Sequence, residues 1–208
     1  MNKRLYFIGL VLIGLSLAYG LYYYDQLPEQ MAVHFSFDNT PDRFQGKLST
    51  VWGLPLFFAA LQTLVFFSAQ RSDEVHPRMR ALSLLGVPVI GLAVTIMMVQ
   101  FNLGTALSIR RWVLLLIGVL FIAVGNYLPK TPVNAFYGYR FPWTGRSPEV
   151  WAKTQRLGGY LISAAGLVAV IAGMTDTAVA AGLALAMIIL AGVLPIGYAY
   201  RLDRRSRQ

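Results

Sequence analysis

The chain has 208 residues, of which 56% are hydrophobic and only 13% are charged, with a mean hydropathy of +0.55. A soluble domain of this size is more polar, so the composition predicts a protein whose solvent is lipid. The net charge of +9 does not indicate nucleic-acid binding, because the basic residues separate apolar stretches, and the lack of cysteine excludes disulfides, thiolate metal sites and cysteine nucleophiles.

Six stretches contain no Asp, Glu, Lys, Arg or His. They cover residues 5–24, 51–70, 81–101, 112–128, 157–174 and 178–200. A helix needs about 20 apolar residues to cross the hydrocarbon core, with a range of about 17 to 25. We therefore predict an all-α integral membrane protein with six transmembrane helices. The first stretch ends in three bulky tyrosines, which argues for a retained helix over a cleavable signal peptide.

The basic residues predict the orientation of these helices. The N-terminus, residues 71–80, residues 129–156 and the C-terminal tail carry 14 of the 18 lysines and arginines. The positive-inside rule then places both termini in the cytoplasm and the 25–50 loop outside. The tail residues Arg201, Arg204, Arg205 and Arg207 are expected to anchor the chain on anionic lipid.

The outer loop, residues 25–50, is too long and too patterned for a plain connector. Val33, Phe35 and Phe37 alternate with polar residues, which predicts an extended segment, and residues 38–42 predict a turn. The Phe side chains are expected to pack into the mouth of the helix bundle, while His34, Asp42 and Lys47 form a polar cluster. The loop is either a ligand site or a structural clasp on the helices.

The composition of the spans argues against catalysis and ion-coupled transport within the membrane. Proton relays and ion carriers use intramembrane charges, and these spans have none. Gln62, Gln100 and Asn126 are expected to form interhelical hydrogen bonds, and neighbouring helices to satisfy the carbonyls freed by Pro88 and Pro195.

A hydrolytic site could come only from the outer loop, where His34 would join a serine and an aspartate. The candidates are Ser36 or Ser49, and Asp38 or Asp42. Such residues in a polar loop usually form a solvated surface. No His-Glu-x-x-His motif occurs, and we predict neither enzymatic activity nor a metal or cofactor.

The inner loop, residues 129–156, is expected to lead into the fifth helix. Ser147 as N-cap, Pro148 and Glu149 mark a helix start. Upstream, five aromatic residues interleave with three basic ones. They are Phe136, Tyr137, Tyr139, Phe141 and Trp143, with Lys130, Arg140 and Arg146. This surface either lies on lipid headgroups or docks an acidic cytosolic partner.

Helices five and six are joined by residues 175–177 and must form an antiparallel hairpin. Small residues recur at every fourth position on each helix. This spacing either marks a close contact between the two backbones or only reflects how common Gly and Ala are in membrane helices. They are Ala165, Ala169 and Gly173 on the fifth helix, and Ala178, Gly182 and Ala186 on the sixth.

A dense motif lies between positions 125 and 158. It comprises Gly125-Asn126-Tyr127-Leu128-Pro129-Lys130, Asn134, Gly138, Arg140, Pro142-Trp143-Thr144, Ser147, Trp151, Lys153-Thr154 and Arg156-Leu157-Gly158. In this motif the sequence resembles the SdpI family of bacterial membrane proteins. The outer loop, with Pro28, His34-Phe35, Pro41-Asp42 and Lys47, is similar to a domain of unknown function often found at the N-terminus of that family.

Three positions depart from the family pattern. Gln155 stands where the family often has His, Gly145 where it often has Leu, and Asn39 where the outer loop often has Gly. Asn can adopt the left-handed conformation, so the outer turn is expected to be kept.

The resemblance implies a membrane immunity protein. The family's namesake protects a bacterium against a secreted killing peptide and recruits a transcriptional repressor to the membrane. We therefore expect a multi-pass inner-membrane protein that confers resistance to, or senses, a membrane-active peptide. Its partners would be lipids, a peptide toxin outside and a repressor inside, without direct contact to nucleic acid. The alternatives are a small-solute transporter or channel, or a membrane-embedded hydrolase.

The residues expected to carry this function lie in the two loops. The outer candidates for ligand or partner binding are His34, Phe35, Asp42 and Lys47. The inner candidates for partner or lipid binding are Asn126, Lys130, Asn134, Arg140, Trp143, Trp151 and Arg156. We expect a two-helix N-terminal unit over residues 1–80 and a four-helix SdpI-like unit over residues 81–208.

Overall fold

The computed structural model describes residues 2–71, 76–134 and 136–206. The helices are α1 (Asn2–Tyr22), α2 (Lys47–Gln70), α3 (Pro77–Asn102), α4 (Ile109–Tyr127), α5 (Pro148–Thr175) and α6 (Ala178–Arg205). Two strands, β1 (Gln30–Phe35) and β2 (Pro41–Gly46), lie between α1 and α2. Short 3-10 turns cover Tyr24–Gln26 and Leu128–Lys130.

All six predicted membrane spans are confirmed as helices. Each is long and apolar enough to cross a bilayer, and only 22 to 39% of its most apolar segment is buried within the protein. The outward faces carry exposed side chains such as Phe7, Leu56 and Leu194, as expected where lipid is the solvent. The orientation of the termini stays a prediction, and Arg207 of the predicted lipid anchor lies outside the described residues.

The chain folds into two compact units. The first comprises residues 1–70 and 83–112, and the second comprises residues 71–82 and 113–208. In the first unit, Leu27 and Met31 pack with Val51 and Val99 into a core at the base of the strand pair. The predicted division at residue 80 stays a prediction.

In the second unit, α4 and α5 cross at two pairs of glycines. A Cβ added to Gly118 would lie 2.7 Å from the backbone oxygen of Gly166, and one added to Gly125 would lie 2.6 Å from that of Gly159. The glycines are seven residues apart on each helix, so each pair recurs after two turns. Only glycine permits this backbone approach.

The α5–α6 hairpin is confirmed, and Asp176 ends α5 in the left-handed conformation at φ 51°. Ala165, Ala169 and Gly173 are buried as predicted. The prediction for α6 was wrong, because Ala178 and Ala186 are exposed. The buried face of α6 instead carries Ala181, Ala184, Ala191, Pro195 and Ala199. These residues follow the mixed three- and four-residue spacing of one helix face. Residues spaced strictly by four gradually rotate away from such a face.

The carbonyls freed by Pro88 and Pro195 are satisfied, as predicted. Proline lacks the N–H that would bond the carbonyl four residues earlier, which is Leu84 for Pro88 and Ala191 for Pro195. The Gln62 side-chain amide donates to the Leu84 oxygen at 2.9 Å. The Tyr139 hydroxyl donates to the Ala191 oxygen at 2.6 Å.

The amide side chains within the spans behave differently from one another. Gln62 bridges α2 and α3, and Gln100 donates to the Tyr19 hydroxyl of α1 at 2.5 Å, so these interhelical bonds are confirmed. The expectation for Asn126 was wrong. Its side chain is exposed on α4 and has no hydrogen bond to any described residue.

Candidate functional site

The outer loop is an antiparallel strand pair. Gln30 pairs with Gly46 at its base, and the register is irregular on both sides of His34. The predicted extended segment is thus β1, and the returning chain forms β2. Asn39 adopts φ 71° at the tip, so the expected left-handed turn is confirmed.

Asp38 organises the tip of this strand pair. Its carboxylate accepts hydrogen bonds from the Ser36 hydroxyl at 2.5 Å, the Thr40 hydroxyl at 2.7 Å and the Thr40 backbone N–H at 3.2 Å. These bonds, those of the Ser36 and Thr40 hydroxyls above all, lower the pKa of Asp38 to about 2. The turn therefore keeps its ionised acceptor throughout the physiological pH range.

The predicted polar cluster separates into two pairs. His34 Nδ1 lies 2.6 Å from Asp42 Oδ1, so their expected contact is confirmed, and the two side chains are 60% and 44% exposed. Lys47 does not join them. It pairs with Glu29 at 2.8 Å and lies over the Tyr24 ring, at the base of the strand pair.

The strand pair is fastened to the end of α3 and to the start of α4. The Asn102 side chain accepts the Ala32 N–H at 2.7 Å and donates to the Ala32 carbonyl at 3.1 Å. The Asn39 side chain accepts the backbone N–H of Arg110 at 2.9 Å. The role of Asn102 was not predicted from the sequence, because its partner Ala32 is 70 residues away.

The aromatic residues of the loop divide between core and surface. Phe35 packs edge-on against Phe101 of α3, with ring centroids 4.6 Å apart, as expected for a side chain at the bundle mouth. Phe37 and Phe44 are exposed, so the expectation that the Phe side chains pack into the bundle mouth was wrong for these two. The loop therefore packs on the end of α3 through Phe35 and leaves two aromatic side chains at its surface.

A cavity of about 460 Å³ opens beside the strand pair. We call it the outer cavity. Its polar lining is His34, Arg43, Gln45, Ser49 and Thr50, and its apolar lining is Val33, Leu54, Phe57 and Met98, with Gly53 between. It is thus amphipathic, with His34 linking it to the Asp42 pair.

The geometry does not assemble a hydrolytic triad. The Ser36 hydroxyl donates to Asp38, and the Ser49 hydroxyl donates to the Gly46 carbonyl at 2.8 Å. Among the described residues, neither hydroxyl forms a hydrogen bond with His34. A serine nucleophile would need such a bond to its general base. No group of three or more metal-binding side chains is found within residues 2–71, 76–134 and 136–206.

The inner loop is a folded segment with its own internal supports. Ser147 caps α5 by accepting the Val150 N–H, which confirms the predicted start. Asn134 accepts the N–H groups of Phe136 and Tyr137 at 2.8 and 2.6 Å. Trp151 is buried, and its indole N–H donates to the Thr131 carbonyl at 2.8 Å. Asn134 and Trp151 thus have structural contacts within the protein.

Two fully buried side chains hold the middle of the loop. The Gln155 amide accepts the Tyr139 N–H and donates to the Tyr139 carbonyl, both at 3.0 Å. The Thr144 hydroxyl accepts the Phe141 N–H at 2.8 Å and donates to the Phe141 carbonyl at 2.9 Å. Neither role was predicted from the sequence, where Gln155 is only a departure from the family pattern.

Close packing around Tyr139 explains two glycines of the motif. Gly138 has φ +99°, and a Cβ there would collide with the Gln155 amide. A Cβ on Gly158 would collide with the Tyr139 ring. Burial raises the pKa of Tyr139 to about 12, so its hydroxyl stays a neutral donor to Ala191.

The remaining inner candidates lie at the surface of this segment. Trp143 stacks on Phe141 and meets Tyr200 edge-on, with centroids 5.4 and 5.6 Å away. Lys130 and Arg156 are exposed. Arg140 lines a cavity of about 400 Å³, the inner cavity. The other lining residues are Val133, Asn134, Phe141, Pro142, Thr144, Gly145 and Trp151.

The fold and its two built loops define a multi-pass α-helical membrane protein with a small strand pair on one connection. The model of the SdpI/YfhL protein family matches residues 130–199, which include the inner loop from Lys130 onward, α5 and most of α6. A domain of unknown function, DUF1648, matches residues 11–59, which include the strand pair. These two matches agree with the resemblance that the sequence predicted, to the SdpI family with an N-terminal domain of unknown function. Comparisons with curated proteins and with solved structures found no match.

Proposed function

We propose that this protein is a non-enzymatic, receptor-like immunity protein of the bacterial inner membrane, which confers resistance to, or senses, a membrane-active peptide. The match of residues 130–199 to the SdpI/YfhL family model supports a membrane immunity-type role. The outer cavity is the observation that carries the finer proposal, because its lining suits a ligand that is partly polar and partly apolar.

A membrane-active peptide presents charged groups to water and apolar side chains to the acyl chains. The outer cavity offers the matching arrangement. His34 and Arg43 give it polar and cationic groups, while Leu54 and Phe57 of α2 give it apolar contact. The strand pair that forms one wall is already fastened through Asn102, so little conformational entropy would be lost when a peptide binds.

On the inner side, the proposal includes docking of a cytoplasmic repressor. Lys130 and Arg156 are exposed there, and the C-terminal helix adds Arg201, Arg204 and Arg205. Such a surface favours an acidic partner through charge complementarity. A solute channel would instead need a continuous polar path, and the spans consist almost entirely of apolar residues.

We expect Asp42→Ala and His34→Ala each to weaken protection roughly tenfold, as loss of one charged contact does. A sensitive strain expressing each variant would be challenged with a panel of membrane-active peptides, and the growth-inhibiting dose measured. Glu29→Ala is the matched control, because it breaks the Lys47 pair at the base of the same strand pair.

The fold is expected to survive these changes, since exposed ion pairs contribute little to stability. Full protection by the single variants and by the double variant, at normal protein levels, would remove the His34–Asp42 pair from the site. Solute flux or peptide cleavage by the purified protein in vesicles would favour the transporter or hydrolase alternative.

A further inference from the structure

The backbone on both sides of Arg140 is held by buried polar side chains. Gln155 bonds both the N–H and the carbonyl of Tyr139, and Thr144 bonds both those of Phe141. Gln155 and Thr144 are fully buried. A side chain between two such clamps projects from a backbone of fixed direction, which is the arrangement expected for a binding group.

The guanidinium of Arg140 has no carboxylate partner among the described residues. Two acidic side chains of the same compact unit are already paired, Glu149 with Lys153 at 2.6 Å and Asp203 with Arg146 at 3.3 Å. Arg140 is exposed and lines the inner cavity. Since the cavity lining contains no acidic residue, Arg140 gives it a net positive charge.

The position of Arg140 relative to α6 indicates where its ligand comes from. The neighbouring Tyr139 reaches the Ala191 carbonyl within α6, and Trp143 meets Tyr200. At 1.5 Å per residue, Ala191 lies about 13 Å deeper along α6 than Tyr200. Arg140 therefore lies in a segment that runs from within the span to the aromatic belt, where phospholipid headgroups lie.

The ligand chemistry follows from the donor. Arginine presents a planar fork of N–H groups that binds a phosphate through two parallel hydrogen bonds, which lysine cannot reproduce. The apolar walls at Val133, Phe141 and Pro142 suit the adjoining glycerol and acyl carbons of a lipid.

We propose that the inner cavity binds the phosphate of an anionic phospholipid headgroup, with Arg140 as its principal ligand. This site does not depend on the proposed peptide immunity, because it uses neither the outer cavity nor a protein partner. Bound lipid would tie the inner loop to the membrane at a defined place, in addition to the diffuse attraction of the arginine tail.

The test is native mass spectrometry of the detergent-purified full chain, titrated with phosphatidylglycerol or with phosphatidylcholine. We expect a preference for phosphatidylglycerol that Arg140→Ala weakens roughly tenfold and Arg140→Lys severalfold. Arg204→Ala removes the same charge from the tail and should change the affinity less than twofold. Gln155→Met keeps the guanidinium but frees the Tyr139 backbone, and should weaken the preference while the protein stays folded.

Three results would overturn the proposal. Equal small losses in Arg140→Ala and Arg204→Ala would show a diffuse charged surface. Displacement of phosphatidylglycerol by millimolar inorganic phosphate would show a site for the free anion. Binding of a polyglutamate peptide that needs Arg140, with lipid preference unaffected by the substitution, would assign the residue to an acidic protein partner.

Discussion

Gly125→Ala should destabilise the protein by about 3 kcal/mol, at the upper end of the range for overpacking. The added Cβ would lie 2.6 Å from the Gly159 backbone oxygen and 2.8 Å from the Ser163 backbone nitrogen. A side chain could rotate away from the new atom, but a helix backbone must move as a whole. We expect a lower midpoint of thermal unfolding in detergent. Size-exclusion chromatography of heated samples measures this midpoint.

The matched control is Gly192→Ala on α6, where an added Cβ meets nothing within 4 Å. Alanine is the better helix former, so this variant should be unchanged or more stable by about 0.5 to 1 kcal/mol. Equal unfolding midpoints for the two variants would contradict the close crossing of α4 and α5.

Tyr139→Phe should cost about 1 to 3 kcal/mol, because it leaves the Ala191 carbonyl buried without a donor. Pro195 is the reason that this carbonyl needs an outside donor. Restoring an N–H with Pro195→Ala should therefore reduce the cost of Tyr139→Phe by about 1 kcal/mol. A double-mutant cycle of unfolding free energies in detergent measures this coupling.

Tyr160→Phe is the control for removing a hydroxyl, since Tyr160 is exposed on α5. It should leave stability unchanged both in the native chain and in the Pro195→Ala variant. If Tyr139→Phe cost the same with and without the proline, the hydroxyl would not be replacing the missing backbone donor.

The sequence predicted features that depend on local chemistry or on composition. The spans follow from uninterrupted apolar length, and the start of α5 follows from Ser147 and Pro148. The left-handed Asn39 follows from the tolerance of Asn for positive φ. The sequence also predicted that the carbonyls freed by proline would find donors within the protein, because lipid offers no hydrogen bonds.

Partners that are distant in sequence could not be predicted. A freed carbonyl demands a donor but does not identify Gln62 or Tyr139 as that donor. Likewise, Lys47 could reach either Asp42 or Glu29, and the strand register decides for Glu29. On α6, small residues spaced by four suggested a packing face that the structure does not use. Many residues of α6 are small, so this spacing does not identify the buried face.

The same limit applies to the candidate site. His34 and Asp42 are eight residues apart across a recognisable turn, so their contact was predictable. Gln155 holds Tyr139 from a different element, and nothing in the local sequence indicates which backbone it meets. The residues that support Arg140 therefore emerge only from the fold.

The proposed function requires that the strand pair faces the outside, where a peptide arrives, and that the inner loop faces the cytoplasm. The chain has no cysteine, so single cysteines report this orientation without background. Gln26 is exposed just before the strand pair. Gly145 is exposed in the inner loop, and a Cβ added there would have no other atom within 4 Å. Gln26→Cys should react with a membrane-impermeant maleimide in intact cells, and Gly145→Cys only after permeabilisation. The opposite labelling pattern would place the outer cavity in the cytoplasm and contradict the proposed function.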